Sequence, residues 1–360
     1  MSNRKFSVFA LLLALLLTFV SITGAGAAPK GEAVITLSVD QTSFTSSENV
    51  VIHVVIENQG KNPVKVLKWY TPAEDVEEPL FALFRDNQPV DYIGAHYKRP
   101  AATGSDYVVL KGGESLTRDV ELGTFYDLST TGNYSITYDV ASWNLFSEKG
   151  SDKNAVESLS SNTLKLSIEG RVSAAVTESS APSLAAVVGG TTFNKCTITQ
   201  QSTLTTARNE SSVYAANALG YLNVNASSQP TLRYTTWFGT YLASRYSTVA
   251  SHFSAISSAM DTAPVKFDCG CKKTYYAYVY PAQPYTIYLC KAFWTAPMTG
   301  TDSKAGTLIH EMSHFNVVAS TDDWAYGQTN AKNLAISDPT KAVDNADSHE
   351  YFAENTPVQQ

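Results

Sequence analysis

Along the first half of the chain, apolar and polar positions tend to alternate with a period of two. Val34-Ile35-Thr36-Leu37-Ser38-Val39 and Val50-Val51-Ile52-His53-Val54-Val55-Ile56 are β-rich runs of this kind, and Asn58-Gln59-Gly60 follows as a turn. Tyr107-Val108-Val109-Leu110 and Tyr134-Ser135-Ile136-Thr137-Tyr138 continue the series. Short β-branched and aromatic runs broken by Gly, Asn and Pro predict an all-β, immunoglobulin-like sandwich over residues 28–170. His53 and His96 stand alone within it and read as structural or surface residues.

Residues 171–191 are rich in Ala, Ser, Val and Gly, with few charges, and predict a linker. Beyond it the period lengthens. Leu204–Leu222 and Ser247–Met260 place apolar residues on one helical face, and further helices are expected from Ser303 to Val317, Asn330 to Ile336 and Asn345 to Asn355. Tyr275–Tyr280 and Tyr285–Leu289 flank Pro281–Pro284 as a hairpin, whose edge could pair with an extended peptide. Residues 192–360 are therefore predicted as a mainly helical α+β domain.

A length of 360 residues suits two such domains. The net charge of −7 lacks the basic footprint that nucleic-acid binding requires. Arg4 and Lys5, the apolar run Phe6–Val20 and the small exit Ala25-Gly26-Ala27 predict a signal peptide over 1–27, hence a secreted chain with no membrane attachment after cleavage. Cys196, Cys269, Cys271 and Cys290 all lie in the second half. Four cysteines in an oxidising compartment imply two disulfides with three possible pairings. One intervening residue makes a Cys269–Cys271 bond awkward, so each is expected to pair outward.

One pentapeptide stands apart from these elements. His310-Glu311-Met312-Ser313-His314 puts two imidazoles one helical turn apart on the same face, with a carboxylate beside the first. This is the zincin arrangement: two histidines for a Zn2+ ion and a glutamate as general base. A catalytic zinc needs a third protein ligand and an open position. The positions that would extend the motif to three histidines hold Val317 and Ser320, and the first glutamate after Glu311 is Glu350. Asp322 and Asp323, after the expected helix end, are the nearest carboxylates; they can close a metal triad or serve as solvated turn residues. A secreted binding protein with a purely structural zinc would need four protein ligands, and a fourth is not evident near the motif.

The motif followed by Thr321-Asp322-Asp323-Trp324-Ala325-Tyr326-Gly327 resembles the aspzincin (deuterolysin-type) metalloendopeptidases, with Ser320 where their pattern has glycine. Residues 233–239, 292–297 and 345–355 carry a closer likeness to the peptidyl-Lys metalloendopeptidases among them. The resemblance implies Asp323 as third zinc ligand, Tyr326 as the transition-state tyrosine, and the pairs Cys196–Cys269 and Cys271–Cys290. Asp347 and Glu350 share a helix face, and the matching acidic pair in the resembling enzymes forms a lysine pocket, which implies cleavage of protein or peptide substrates on the amino side of lysine. His349 between them is expected to pack or bond locally. The resemblance begins near Thr192, which makes 28–170 a propeptide acting as an intramolecular inhibitor. Residues 172–191 contain no lysine, so another protease is expected to cut there, and a propeptide lysine such as Lys98 is expected to fill the acidic pocket meanwhile. A monomer is expected.

Overall fold

Alternation along Val51–Asn58 becomes a strand whose second, fourth and sixth side chains, Ile52, Val54 and Ile56, are fully buried. A computed structural model describes residues 33–146, 156–171, 190–225 and 231–359, so the expected signal peptide and nearly all of the expected linker lie outside the described residues. The strands are β1 (Ala33–Ser38), β2 (Ser43–Phe44), β3 (Val51–Asn58), β4 (Val64–Leu67), β5 (Phe81–Arg85), β6 (Gln88–Pro89), β7 (His96–Lys98), β8 (Tyr107–Leu110), β9 (Ser115–Glu121), β10 (Gly132–Trp143), β11 (Val156–Ile168), β12 (Thr192–Asn194), β13 (Lys266–Asp268), β14 (Ala277–Val279) and β15 (Thr286–Leu289). The helices are α1 (Ile198–Val224), α2 (Leu232–Phe238), α3 (Ala243–Thr262), α4 (Lys291–Thr295), α5 (Lys304–His314), α6 (Gly327–Ser337), α7 (Pro339–Val343) and α8 (Ala346–Glu354). The N-terminal region is thus β-rich and the C-terminal region mainly helical.

In the N-terminal region the strands run β6-β5-β10-β11-β1-β3-β9, with β2 beside β11. Strands β10 and β11 are antiparallel over most of their length, with a register shift between Thr137 and Asp139. Ile35, Leu37, Ile52, Val54, Leu83, Tyr134, Ile136, Leu159 and Leu166 join in one core. The β5–β6 connection is the two-residue turn Asp86-Asn87, with φ of 47° and 67°, residue types that tolerate the left-handed region.

Strand β7 leaves this sheet. It forms the edge of a five-stranded sheet, β12-β13-β15-β14-β7, whose other members belong to the C-terminal region. It runs antiparallel to β14, with His96, Tyr97 and Lys98 opposite Val279, Tyr278 and Ala277. Strands β14 and β15 form the expected hairpin.

Helices α1 and α3 extend the helical faces read from the sequence, and Leu204, Leu222, Val249, Phe253 and Ile256 enter a second core with Leu308, Ile309 and Met312 of α5. Helix α5 ends at His314, short of the expected Val317. The structure joins Cys196 to Cys269 and Cys271 to Cys290. Among the described residues no helix is long and apolar enough to cross a membrane.

Candidate metal centre

Helix α5 begins where Ser303 Oγ accepts from the Gly306 amide at 2.9 Å. All eleven of its residues are buried, although Lys, Thr, His, Glu and Ser are among them. Gly306 permits this: a Cβ there would sit 2.1 Å from the Glu354 carboxylate, which caps the turn by accepting from the Ser303 amide and hydroxyl. Buried polar groups must find partners, and on α5 they converge on one point. His310 and His314 point Nε2 at each other, 3.1 Å apart. Asp323 lies beside both, Oδ1 3.4 Å from His310 Nε2 and Oδ2 3.5 Å from His314 Nε2.

The far ring nitrogens set the orientation. His314 Nδ1 donates to the Thr321 carbonyl at 2.7 Å, which leaves Nε2 as the lone-pair nitrogen. His310 Nδ1 lies 2.8 Å from Asp347 Oδ1. The loop carrying Asp323 and Tyr326 is tied down from α8: Asn345 Oδ1 accepts from the Trp324 and Ala325 amides at 3.0 and 2.9 Å, and the Asp322 amide donates to the Asp344 carbonyl at 2.7 Å.

Both oxygens of Glu311 and both of Asp323 are buried without a hydrogen-bond partner. Burial pushes the Glu311 carboxyl up to about 8, against the pull of His310. Burial works against a charge on His310, but Asp323, Asp347 and Glu350 outweigh it and raise the imidazole to about 10. The cluster therefore calls for positive charge. Two Nε2 atoms and a carboxylate facing one point, with buried acceptors otherwise orphaned, fit a divalent cation of zinc type.

Next to this point lies an acidic recess, and it is filled. Lys98, wholly buried on β7, places Nζ 2.7 Å from Glu350 Oε2, 2.9 Å from Asp347 Oδ1 and 3.4 Å from Asp302 Oδ1. Its ammonium also lies over the rings of Tyr351 and Tyr276, at 5.1 and 5.7 Å. Burial opposes the charge, but Asp347 and Glu350 hold Lys98 well above its usual pKa. Burial would raise Asp347 as well; Lys98 and His310 reverse that and hold it low. Asp347 Oδ2 accepts from the Gly327 amide at 2.6 Å.

Tyr326 lies on the same side, but its hydroxyl is engaged. It accepts from Arg99 Nη1 at 2.7 Å and donates to Glu78 Oε1 at 2.9 Å. Arg99 is itself buried, ion-paired with Glu78 and stacked against Trp69 and Tyr275. His349 takes no part: it donates from Nδ1 to the Asn345 carbonyl and meets His252 at 3.0 Å.

His96 is not the isolated residue expected from the sequence. Its ring lies 4.8 Å from that of His314, and its Nδ1 is 3.5 Å from Asp322. The only signal for it is a spacing, two residues before Lys98 in a strand. Asp302 was also unforeseen; it precedes α5 and no spacing links it to Asp347.

A family model described as lysine-specific metallo-endopeptidase, of the aspzincin type, matches residues 223–354. The chain is 48% identical over 318 residues to an extracellular protease of Aeromonas hydrophila, spanning 87% of this chain and 90% of that one. It is 36% identical over 328 residues to a peptidyl-Lys metalloendopeptidase of Armillaria mellea, spanning 88% and 90%. A peptidyl-Lys metalloendopeptidase of Pleurotus ostreatus is 55% identical over 168 residues, 46% of this chain and 98% of that protein. Among solved structures, a zinc peptidase from Grifola frondosa is 51% identical and covers 46% of this chain and 100% of its own, with a TM-score of 0.44.

Proposed function

The chain belongs to the aspzincin metalloendopeptidases, and from that premise we propose that it is a secreted zinc proenzyme whose mature form cuts on the amino side of lysine. One observation carries the reading: a lysine of the chain's own N-terminal region is seated in a buried acidic recess beside the histidine pair. The recess matches an ammonium in charge and an alkyl stem in its aromatic walls. A substrate lysine is its natural occupant once Lys98 leaves. The peptidyl-Lys relatives from Armillaria and Pleurotus support the same specificity.

His310, His314 and Asp323 would hold the zinc ion. When bound, zinc acidifies a water and polarises a carbonyl. Glu311 takes a proton from the attacking water and delivers it to the departing amine. Its two buried oxygens lack a partner of full hydrogen-bond geometry, and the backbone N–H of Lys98 is directed at them, which suits that duty. Strand β14 pairs with the extended substrate backbone, as it does with β7, and Asp347 and Glu350 receive the lysine. Tyr326 donates to the oxyanion after Arg99 and Glu78 release it.

The N-terminal region, an immunoglobulin-like sandwich in this reading, is the propeptide. Its strand takes the substrate's place and its Arg99 holds the catalytic tyrosine. That the Pleurotus enzyme aligns over less than half of this chain supports a mature form lacking this half. Residues 172–191 contain no lysine, so release falls to another protease.

The test is a digest of an unfolded protein by the processed chain, read by mass spectrometry. New amino termini should begin with lysine. Glu311→Gln should retain zinc and lose about 10²- to 10⁴-fold in rate. Full activity in Glu311→Gln, or cuts indifferent to lysine, would sink the assignment.

A further inference from the structure

Lys98 explains how the acidic recess is filled, but it leaves a puzzle. Seated there, it presents the Tyr97–Lys98 bond on the amino side of a pocketed lysine, the bond such an enzyme should cut. The strand is paired to β14 in full register and the Lys98 carbonyl accepts from the Tyr276 amide at 2.9 Å. By every contact it resembles a substrate.

Strand geometry supplies an answer. Side chains two apart on a strand share a face. Tyr97 points away, onto the rings of Tyr275 and Tyr278. His96 therefore faces the same side as Lys98. There its ring lies 4.8 Å from the ring of His314, tilted by 47°. A ring nitrogen of His96, one of His314 and a carboxylate oxygen of Asp323 all fall within 4.8 Å of one another. Its side chain is nearly withdrawn from solvent, and Tyr92 packs against it at 5.7 Å.

We propose that His96 is a fourth protein ligand to the metal in the full-length chain. This rests on reading His310, His314 and Asp323 as the other three. Four protein ligands make a closed site, whereas catalysis needs a position open to water. With an imidazole in that position, the Tyr97–Lys98 bond is held in place and no nucleophile reaches it. Lys98 anchors the strand, and the two-residue spacing delivers the imidazole.

The same arrangement predicts what its loss does. Without the imidazole, water can enter and attack the Tyr97 carbonyl. The amide C–N bond then breaks, with the hydroxyl going to Tyr97 and the proton to the Lys98 amine. The blocking strand becomes a substrate cut once.

The test uses the full-length zinc-loaded chain and the variants His96→Gln and His96→Ala, so that one remains if the other does not fold. X-ray absorption at the zinc edge should count three imidazoles in the wild type and two in each variant. A chelator should extract zinc at least about tenfold faster from the variants. Amino-terminal sequencing should find a new end at Lys98 in the variants alone. Two imidazoles in the wild type, or equal extraction rates, would overturn the role of His96 while leaving the three-ligand reading intact. Zinc retained after His310 and His314 are both replaced by alanine would overturn that reading and this inference with it.

Discussion

In the N-terminal region the described core is aliphatic and aromatic, and its buried ionic side chains are Glu77, Glu78, Lys98 and Arg99. Each reaches across to the other region. Glu77 accepts from Tyr275 and Lys273, Glu78 from Tyr326, and Arg99 donates to Tyr326, while Lys98 meets Asp347 and Glu350. The C-terminal region buries Arg208, Arg233, His349 and Glu354 as well, and these bond within that region. The contrast separates two uses of buried charge. The C-terminal region uses it to hold its own fold and to assemble a centre. The N-terminal region turns all four of these groups toward its neighbour, although Arg99 also pairs with Glu77 and Glu78 within its own region.

The largest effect expected from this contrast is at Lys98. Removing one partner of a buried ion pair costs about 3–5 kcal/mol, because the remaining charges are left without a counterion. Lys98→Ala should weaken the hold of the N-terminal region by roughly 10²- to 4 × 10³-fold. The uncut chain should then hydrolyse a small lysyl peptide that the wild type leaves intact. Its thermal unfolding should change far less than its latency. Unchanged latency in Lys98→Ala would erase the distinction, since the charge would then serve the fold alone.

A second prediction concerns charge kept within the C-terminal region. His349 Nδ1 donates to the Asn345 carbonyl, so His349 Nε2 must accept from His252 Nδ1–H. A proton on that acceptor would leave two donors facing. Burial lowers His252 to about 4 and His349 to about 3. Both folded values lie below the unfolded one, so the neutral pair contributes stability in full above pH 6.5. That contribution is lost as pH falls from 6.5 through about 4 and then about 3. For His252 alone it amounts to on the order of 3 kcal/mol. Urea midpoints at pH 7 and pH 4 should differ less in His252→Phe than in the wild type, with or without the N-terminal region. An acid limb that vanishes when the N-terminal region is removed would assign these histidines to the interface instead.

The division into a sheet-rich and a helical half was legible where a period of two persists, as in Val51–Asn58; in the long first helix the apolar pattern is faint, and the one-sided face of Leu204, Ala207, Ala215, Ala218 and Leu222 emerges in the burial. Helix α2 was not legible. Leu232–Phe238 is short and rich in β-branched and aromatic residues, and burial of Arg233, Tyr234, Trp237 and Phe238 overrides that propensity. His310, Glu311 and His314 could be grouped from sequence since one helical turn brings them together. Asp323 needed a resemblance, because a loop fixed by Asn345 delivers it. Asp302 had no local sign, and His96 had only its two-residue spacing from Lys98. A three-residue strand has no measurable period, and what brings β7 to the centre is its pairing with a hairpin far along the chain. Spacing left two outward cysteine pairings open; the resemblance implied Cys196–Cys269 with Cys271–Cys290, and the fold forms that pair of bonds.

The smallest expected effect compares left-handed residues in the two regions. Asp86 and Asn87 occupy the β5–β6 turn at positive φ, a conformation that asparagine and aspartate adopt at modest cost. Ser320 adopts φ of 52° in the loop that leads to Asp323, where the family pattern has glycine. Serine gains little there in return: its hydroxyl meets only Asn316 Oδ1, at 3.4 Å. A non-glycine residue pays about 1–2 kcal/mol for this region, partly offset by the greater freedom glycine has when unfolded. Ser320→Gly should therefore raise stability by up to about 1 kcal/mol, whereas Asn87→Gly should change it by a few tenths at most. Urea unfolding of the two variants measures the difference. A destabilised Ser320→Gly would mean that the serine side chain, rather than the backbone angle, fixes the approach of the loop to the metal centre.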